Sequence, residues 1–242
     1  MLFGVEVVVV VPACDEAPRV GRVLRGLPAE VDCVVVVDDA SRDGTREAAL
    51  GVGDPRVTVV VHPANRGVGA AIATGYREAL KLASEPRSVF VVMAGDDQMD
   101  PRDLPALVRP IAEGRADYVK GCRFVWPDAR RAMPWSRWAG GWAFSWLTAR
   151  AIGQPVSDSQ CGYTAISSSA VSQLDLVGLW SGYGYPNDIL GQLAARRMRI
   201  VEVPVRPVYR DEKSRLRLRH LPRITLLIGR AWVRRVRAER GR

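Results

Sequence analysis

Five short valine-rich runs, separated by stretches of helical pattern, restrict what this chain can fold into more than any other feature. They are "VEVVVVVP" (5–12), "DCVVVVDD" (32–39), "RVTVVVH" (56–62), "SVFVVMAG" (88–95) and "DYVKGCRF" (117–124). Apolar side chains at consecutive positions mark strands covered on both faces, since a strand with one face in water alternates apolar with polar. Helical patterns fill the intervals, over 17–27, 42–51, 67–83 and 103–114. The alternation predicts an α/β fold with a mostly parallel, Rossmann-like sheet and helices on both faces. Ligands of such sheets bind at the carboxyl ends of the strands, so the residues that follow each run are the ones to inspect for chemistry.

Four consecutive strand ends read "PACDEAP", "DDASRDGT", "HPANRGVGAA" and "AGDDQMDP". Any one of them alone is equally well explained by turn and cap chemistry, because Asp, Asn, Ser and Gly are favoured there. All four in succession indicate a site. Asp38 and Asp39 can accept hydrogen bonds from the base or ribose of a nucleotide, while Ser41 and Asp43 are placed to cap the next helix. Asp100 followed by Pro101 reads as a helix cap and first helical residue. The G-x-G of "NRGVGAA" lacks the complete G-x-G-x-x-G dinucleotide fingerprint, and the chain has no G-x-x-x-x-G-K-[ST] loop. Neither hydride transfer nor an ordinary phosphate-loop NTPase is indicated.

With 242 residues the chain can bury a core without covalent staples, and its cysteines, Cys14, Cys33, Cys122 and Cys161, form no C-x-x-C pair. They read as reduced residues of a cytosolic protein. The apolar N-terminal run has no basic leader and contains Glu6, which favours a first core strand over a signal peptide, and no run approaches the length of a membrane span. The formal charge of +9 is unevenly spread. Residues 206–242 hold thirteen Lys or Arg against three Asp or Glu, leaving 22 basic and 23 acidic residues elsewhere. A nearly neutral body with a basic end indicates local contact with an anionic surface or with phosphates.

The motifs "VVVVPACDEAPRV", "VVDDASRDGT", "NRGVGAAIATGY", "MAGDDQMDP", "VKGCRF" and "DSQCGYTAIS", in this order and spacing, resemble the family-2 glycosyltransferases with a GT-A fold. Within them the sequence looks most like the dolichyl-phosphate mannose synthase group and its bacterial polyprenyl-phosphate relatives, over about residues 5–215. The resemblance implies a nucleotide-sugar (GDP-mannose or UDP-glucose) lying across the strand ends, with Pro12, Ala13, Glu16, Asp38, Asp39, Arg66, Gly67, Gly95, Asp96 and Gln98 as its contacts. It also implies Mg²⁺ or Mn²⁺ on the diphosphate. The family's D-A-D-x-Q pattern puts its second Asp on Asp96 and its Gln on Gln98, which therefore inherit the metal. An all-oxygen set suits a hard cation. The family's first Asp is replaced by Ala94, which brings no oxygen.

The same resemblance places Arg123 near phosphates and likens Arg210 and Lys213 to a basic loop after the last strand; from the residues alone these two are equally an ordinary solvated loop. A polyprenyl phosphate acceptor is already anionic and requires no base, whereas a hydroxyl acceptor needs a carboxylate to take its proton. Asp188 in "GYGYPNDILGQLA" is the candidate, and capping its own helix is the other reading. With Asp96 and Arg123 it completes the residues assigned to catalysis.

Between 133 and 153, Trp135, Trp138, Trp142 and Trp146 are spaced three, four and four, one stripe on a helix. A stripe packed in the core and a stripe at a membrane interface both fit the spacing; the resemblance implies interface helices here. In the tail, Leu221, Ile224, Ile228, Ala231 and, at its edge, Trp232 share a side of a basic amphipathic helix, which reads as lying on an anionic membrane, with docking on its own domain or on a small membrane subunit as the alternatives. No nucleic-acid-binding motif accompanies the charge. The expectation is thus a GT-A domain over 1–215 followed by a basic amphipathic helix over 216–242, peripheral on the cytoplasmic face of a membrane. Its activity would be the inverting, metal-dependent transfer of a hexose to a polyprenyl phosphate. A hydroxyl-acceptor transferase using Asp188 as base, or a non-catalytic nucleotide-sugar-binding subunit, are the rival readings.

Overall fold

A computed structural model describes residues 1–127, 129, 133, 135–208 and 221–240. The five valine-rich runs form β1 (Glu6–Ala13), β2 (Cys33–Asp38), β3 (Val57–Val61), β4 (Ser88–Val92) and β5 (Tyr118–Cys122). Helices α1 (Ala17–Arg25), α2 (Thr45–Leu50), α3 (Val68–Leu82) and α4 (Leu104–Ala112) connect them. Beyond these lie α5 (Trp135–Ile152), β6 (Thr164–Ser167), α6 (Ser168–Val171), α7 (Tyr185–Ala195), β7 (Ile200–Pro204) and α8 (Leu221–Arg240). The sheet has seven strands in the order β3-β2-β1-β4-β6-β5-β7. Only β6 runs against its neighbours β4 and β5, so the sheet is mostly parallel as the sequence predicts.

The consecutive valines divide between two apolar layers because successive side chains of a strand point to opposite faces. Val8, Val10, Val35 and Val37 face a layer with Ile72 and Tyr76 of α3 and Leu190 and Leu193 of α7. Val7, Val9, Val34 and Val36 face the other, with Val20 and Leu24 of α1 and Leu107 and Val108 of α4. All eight residues of β1 are buried, and fully burying a valine is worth roughly 1.5–3 kcal/mol. Burial on both faces places β1 at the middle of the fold, and therefore its carboxyl end at the middle of the site.

The C-terminal helix docks on its own domain. Ile224, Leu227, Ile228 and Ala231 are buried, with Ile224 and Ile228 against Phe144 and Ala151 of α5. Gly191 of α7 leaves room for Ala231, since a Cβ there would stand 2.6 Å from that methyl. The apolar side of α8 therefore faces inward, but Trp232, grouped with that side from the sequence, is exposed with Leu226 and Val233, because Leu227 and not Trp232 completes the buried stripe. Of the sequence-derived possibilities for this helix, docking on its own domain is the one the packing shows, because the stripe meets a complementary face of α5 and α7. Among the described residues no helix is long and apolar enough to cross a membrane.

Candidate functional site

Hydrogen bonding across the sheet continues past the last residues of β1 to β4 and aligns their carboxyl ends. Asp39 N donates to Ala13 O at 2.9 Å, His62 N to Asp38 O at 2.9 Å, and Gly95 N to Pro12 O at 3.0 Å. Pro12, Ala13, Asp38, Asp39 and Gly95 thus form one ledge. A Cβ on Gly95 would lie 3.1 Å from that of Ala13, so the fourth strand end passes close over the first.

The first two ends are laced together. Asp15 Oδ1 accepts from Arg42 N at 2.8 Å, while Ser41 Oγ accepts from Asp15 N at 3.0 Å and donates to Asp38 Oδ1. Asp43 Oδ2 accepts from Ala17 N at 3.0 Å, and Glu16 N donates to Thr45 Oγ1 at 2.8 Å. Glu16 also pairs with Arg19 at 2.6 Å. Ser41 is thereby spent on the loop and not on the cap of α2; Asp43 serves that helix, accepting from Thr45 N at 3.2 Å.

Asp39 governs the entry to α3. Oδ1 accepts from Arg66 N at 2.8 Å, Oδ2 from Gly67 N at 2.7 Å, and Oδ1 also lies 2.7 Å from His62 Nδ1. His62 Nε2 is 3.0 Å from Thr74 Oγ1. Arg77 Nη2 donates to Thr74 Oγ1 at 3.1 Å, and since a carboxylate only accepts, His62 Nδ1–H donates to Asp39. Gly67 has φ +91°, and a Cβ there would stand 2.5 Å from Ser181 O. That carbonyl accepts from Gly69 N at 2.7 Å and Ala70 N at 3.3 Å, satisfying donors that the first turn of α3 leaves open.

At the fourth end, Gln98 N donates to Asp96 Oδ1 at 3.2 Å, and Asp97 sits at φ +61° beside Arg22. Asp100 caps a 3₁₀ turn over Pro101–Asp103, accepting from Arg102 N at 2.9 Å, the role its Asp-Pro sequence predicts. Ala94 N donates to Met99 Sδ at 3.3 Å. Asp96 and Gln98 offer a carboxylate and an amide oxygen, donors of the kind Mg²⁺ and Mn²⁺ take. Among the described residues no group of three His, Cys, Asp or Glu converges to hold a metal by itself. The pair fits a cation that completes its shell from substrate oxygens and water. Burial holds the Tyr185 phenol well above its ordinary pKa, with Tyr118, Cys161 and Asp96 adding to the shift.

Arg123, after β5, forks onto Asp158: Nε reaches Oδ2 at 2.7 Å, Nη2 reaches Oδ1 at 2.9 Å, and its amide donates to Oδ2 at 3.1 Å. Asp158 is fully buried. Burial would raise its pKa, but the Arg123 charge, the hydrogen bonds from Arg123 and the Lys120 charge together outweigh this and hold it below the usual range. Glu202 orients the same turn through Ser157 N and Asp158 N, and buried Lys120 donates to Cys161 O at 2.5 Å. Burial pulls the Lys120 pKa down. Ser145 of α5 accepts from Ser159 N at 2.9 Å, fastening the tryptophan helix to the Arg123 turn. On that helix Trp138 meets Phe124 edge-on, and Trp142 and Trp146 are 57% and 51% exposed, with Arg150 over the Trp146 ring.

Asp188, in the first turn of α7, is 1% exposed. Oδ2 accepts from Trp180 N at 2.9 Å and Oδ1 from Arg234 Nη1 at 2.5 Å. Arg210 and Lys213 lie outside the described residues. Sequence reasoning passed over His62, Lys120 and Asp158. The signal for Lys120 was a cation inside an otherwise apolar strand pattern; for Asp158 it was the acid opening "DSQCGY"; for His62 nothing marked it beyond its place at a strand end.

Comparison with known proteins gives this arrangement a family. An undecaprenyl-phosphate mannosyltransferase of Micrococcus luteus is 33% identical, over 85% of each chain. A UDP-N-acetylglucosamine–dolichyl-phosphate N-acetylglucosaminyltransferase of Methanococcus voltae is 27% identical, over 84% of this chain and 85% of its own. Among solved structures, glucosyl-3-phosphoglycerate synthase of Mycobacterium tuberculosis, crystallised with Mn²⁺, uridine diphosphate and phosphoglyceric acid, superposes with a TM-score of 0.69. It is 22% identical and covers 96% of this chain and 78% of its own, a likeness of fold. The family model for glycosyl transferase family 2 matches residues 8–174, and the chain belongs to that family: it is a glycosyltransferase with the GT-A fold.

Proposed function

We propose that this enzyme moves a hexose from a nucleotide-diphosphate sugar, GDP-mannose or UDP-glucose, to a polyprenyl phosphate at a membrane surface, inverting the anomeric centre with the help of Mg²⁺ or Mn²⁺. The observation that carries the acceptor class is the exposed aromatic face of α5. Trp142 and Trp146 stand in solvent on a helix fastened through Ser145 and Ser159 to the turn that holds Arg123. Tryptophan of this kind is favoured at a lipid interface, where the ring is buried and its N–H stays wet. An acceptor whose tail lies in the bilayer and whose phosphate reaches Arg123 suits this arrangement. The relatives acting on undecaprenyl and dolichyl phosphates support the same reading. The attachment needs no spanning helix and is peripheral; we place it on the cytoplasmic face.

The ledge of Pro12, Ala13, Asp38 and Asp39 receives the nucleoside, and the α3 entry with Arg66 and Gly67 stands beside it. Asp96 and Gln98 would hold the cation, which supplies charge neutralisation at the departing diphosphate. Arg123 stays oriented because Asp158 grips its fork, and its fixed charge would meet the phosphate. The phosphate oxygen of the acceptor is already ionised and attacks without a base, which accords with Asp188 being held by Trp180 N and Arg234.

The test is incubation with polyprenyl phosphate and a panel of nucleotide-sugars, with and without Mn²⁺. A metal-dependent lipid-linked sugar from one donor is expected. Transfer to a soluble hydroxyl acceptor alone, or tight nucleotide binding with no product from any donor, would overturn the proposal.

A further inference from the structure

The C-terminal helix reaches the donor side of the enzyme through a continuous line of contacts. Arg234 of α8 donates to Asp188 Oδ1 at 2.5 Å, and Arg230 stands 3.8 Å from the same oxygen. The other oxygen, Oδ2, accepts from Trp180 N at 2.9 Å. Trp180 opens the segment 180–184, whose Ser181 carbonyl takes the amides of Gly69 and Ala70 at the start of α3. That start is held from the opposite side by Asp39, through the amides of Arg66 and Gly67. At the far end of the segment, Gly184 adopts φ +104°, and a Cβ there would lie 2.8 Å from Leu227 Cδ1. Helix α8 thus packs directly against the Gly184 end of the segment and reaches its Trp180 end through the Arg234–Asp188 ion pair.

We infer that Arg234 is a positioning residue for donor binding, acting through Asp188 and the 180–184 segment on the N-terminus of α3. The physical reason lies in burial. Asp188 is 1% exposed and Arg234 22% exposed in its side chain, so losing the arginine leaves a buried carboxylate short of a partner. The carboxylate then recruits water or turns, and the Trp180 amide it anchors is released. The Ser181 carbonyl shifts with it, and the two α3 amides lose their acceptor on the ledge where the nucleotide lies. The basic end of the chain is in this sense part of the donor site. The inference rests on the donor reading proposed above.

The experiment compares Arg234→Met, Arg234→Lys and Asp188→Asn with the wild type in the full-length protein, by amide hydrogen–deuterium exchange and by steady-state kinetics with the donor that is turned over. In Arg234→Met, exchange at 67–70 and 180–184 should rise about tenfold or more, with β1 unchanged, as expected of local opening. The donor KM should rise at least about fivefold with kcat within about twofold, the pattern of lost uniform binding. Arg234→Lys should restore most of both, and Asp188→Asn should mimic Arg234→Met. Unchanged exchange at 67–70 would overturn the inference. So would a large fall in kcat at constant KM in Asp188→Asn, which would mean that the carboxylate acts at the reacting atoms. If Arg234→Met does not fold, Asp188→Asn decides: raised exchange at those amides supports the inference, wild-type protection refutes it. A wild type that turns over no donor defeats the functional proposal and leaves the exchange measurements to judge this one.

Discussion

Aspartates serve the two halves of this enzyme differently. In the first half Asp38, Asp39 and Asp43 accept mostly from backbone amides and from small hydroxyls. In the second half Asp158 and Asp188 meet arginine side chains from distant parts of the chain, Arg123 and Arg234. Backbone amides are already in place once a loop is formed, so the carboxylate shapes the loop at little entropic cost. An arginine must be ordered along its whole length and stripped of water. The first arrangement gives a rigid, locally determined ledge for a ligand; the second ties separate segments together and makes each tie expensive to break.

The largest effect is expected where a tie is broken. Asp158→Ala leaves Arg123 without its fork and removes one of the countercharges near Lys120, and should cost about 3–5 kcal/mol in urea unfolding. The pH dependence follows from the same pair. Because the folded pKa of Asp158 lies below its unfolded value of about 3.9, its contribution is fully present above that value and is lost as pH falls through the lowered folded pKa. Unfolding profiles below pH 4 should accordingly be shallower for Asp158→Asn than for the wild type.

Asp96 stands apart from both groups, as a strand-end carboxylate at the mouth of the site that is only partly buried. Asp96→Asn should lower kcat about a hundredfold, equivalent to about 2.7 kcal/mol, with the unfolding midpoint nearly unchanged. Chelation of divalent metal should reproduce that loss. A wild-type rate in the variant would remove Asp96 from the metal site.

Breaking the ledge should cost less than breaking a tie. Asp39→Ala leaves His62 Nδ1 and two amides without their acceptor, and about 1–3 kcal/mol is expected from unfolding measurements, together with weakened nucleotide binding. If it costs as much as Asp158→Ala, the contrast between the halves fails. The smallest stability change belongs to the exposed tryptophans. Replacing Trp142 and Trp146 together by serine should move stability by no more than about 0.5 kcal/mol, while vesicle flotation with anionic lipid should fall sharply. Flotation equal to wild type would remove α5 as the membrane contact.

Much of this was legible before the structure. Five strands and four helices followed from valine runs and their punctuation, because strands buried on both faces must be apolar at every position. Strands β6 and β7 were not legible: "TAIS" and "IVEVP" are four and five residues long, too short for a period to register, and their pairing partners lie far away in sequence. The Asp-Pro start before α4 could be read locally because capping is a local act. The inward face of α8 could not, since a basic amphipathic helix has the same pattern whether it meets lipid or its own protein.

By itself the sequence determined which residues stand at the strand ends, Asp96 and Gln98 among them, and the family to which the chain belongs. Tertiary structure alone decided what each charged group faces. It turned Asp188 towards Arg234, Arg123 towards Asp158, and His62 between Asp39 and Thr74. Local pattern is written in neighbouring residues, whereas these partners are separated by between 12 and 46 positions and meet only when the sheet has closed and water has been driven from between them.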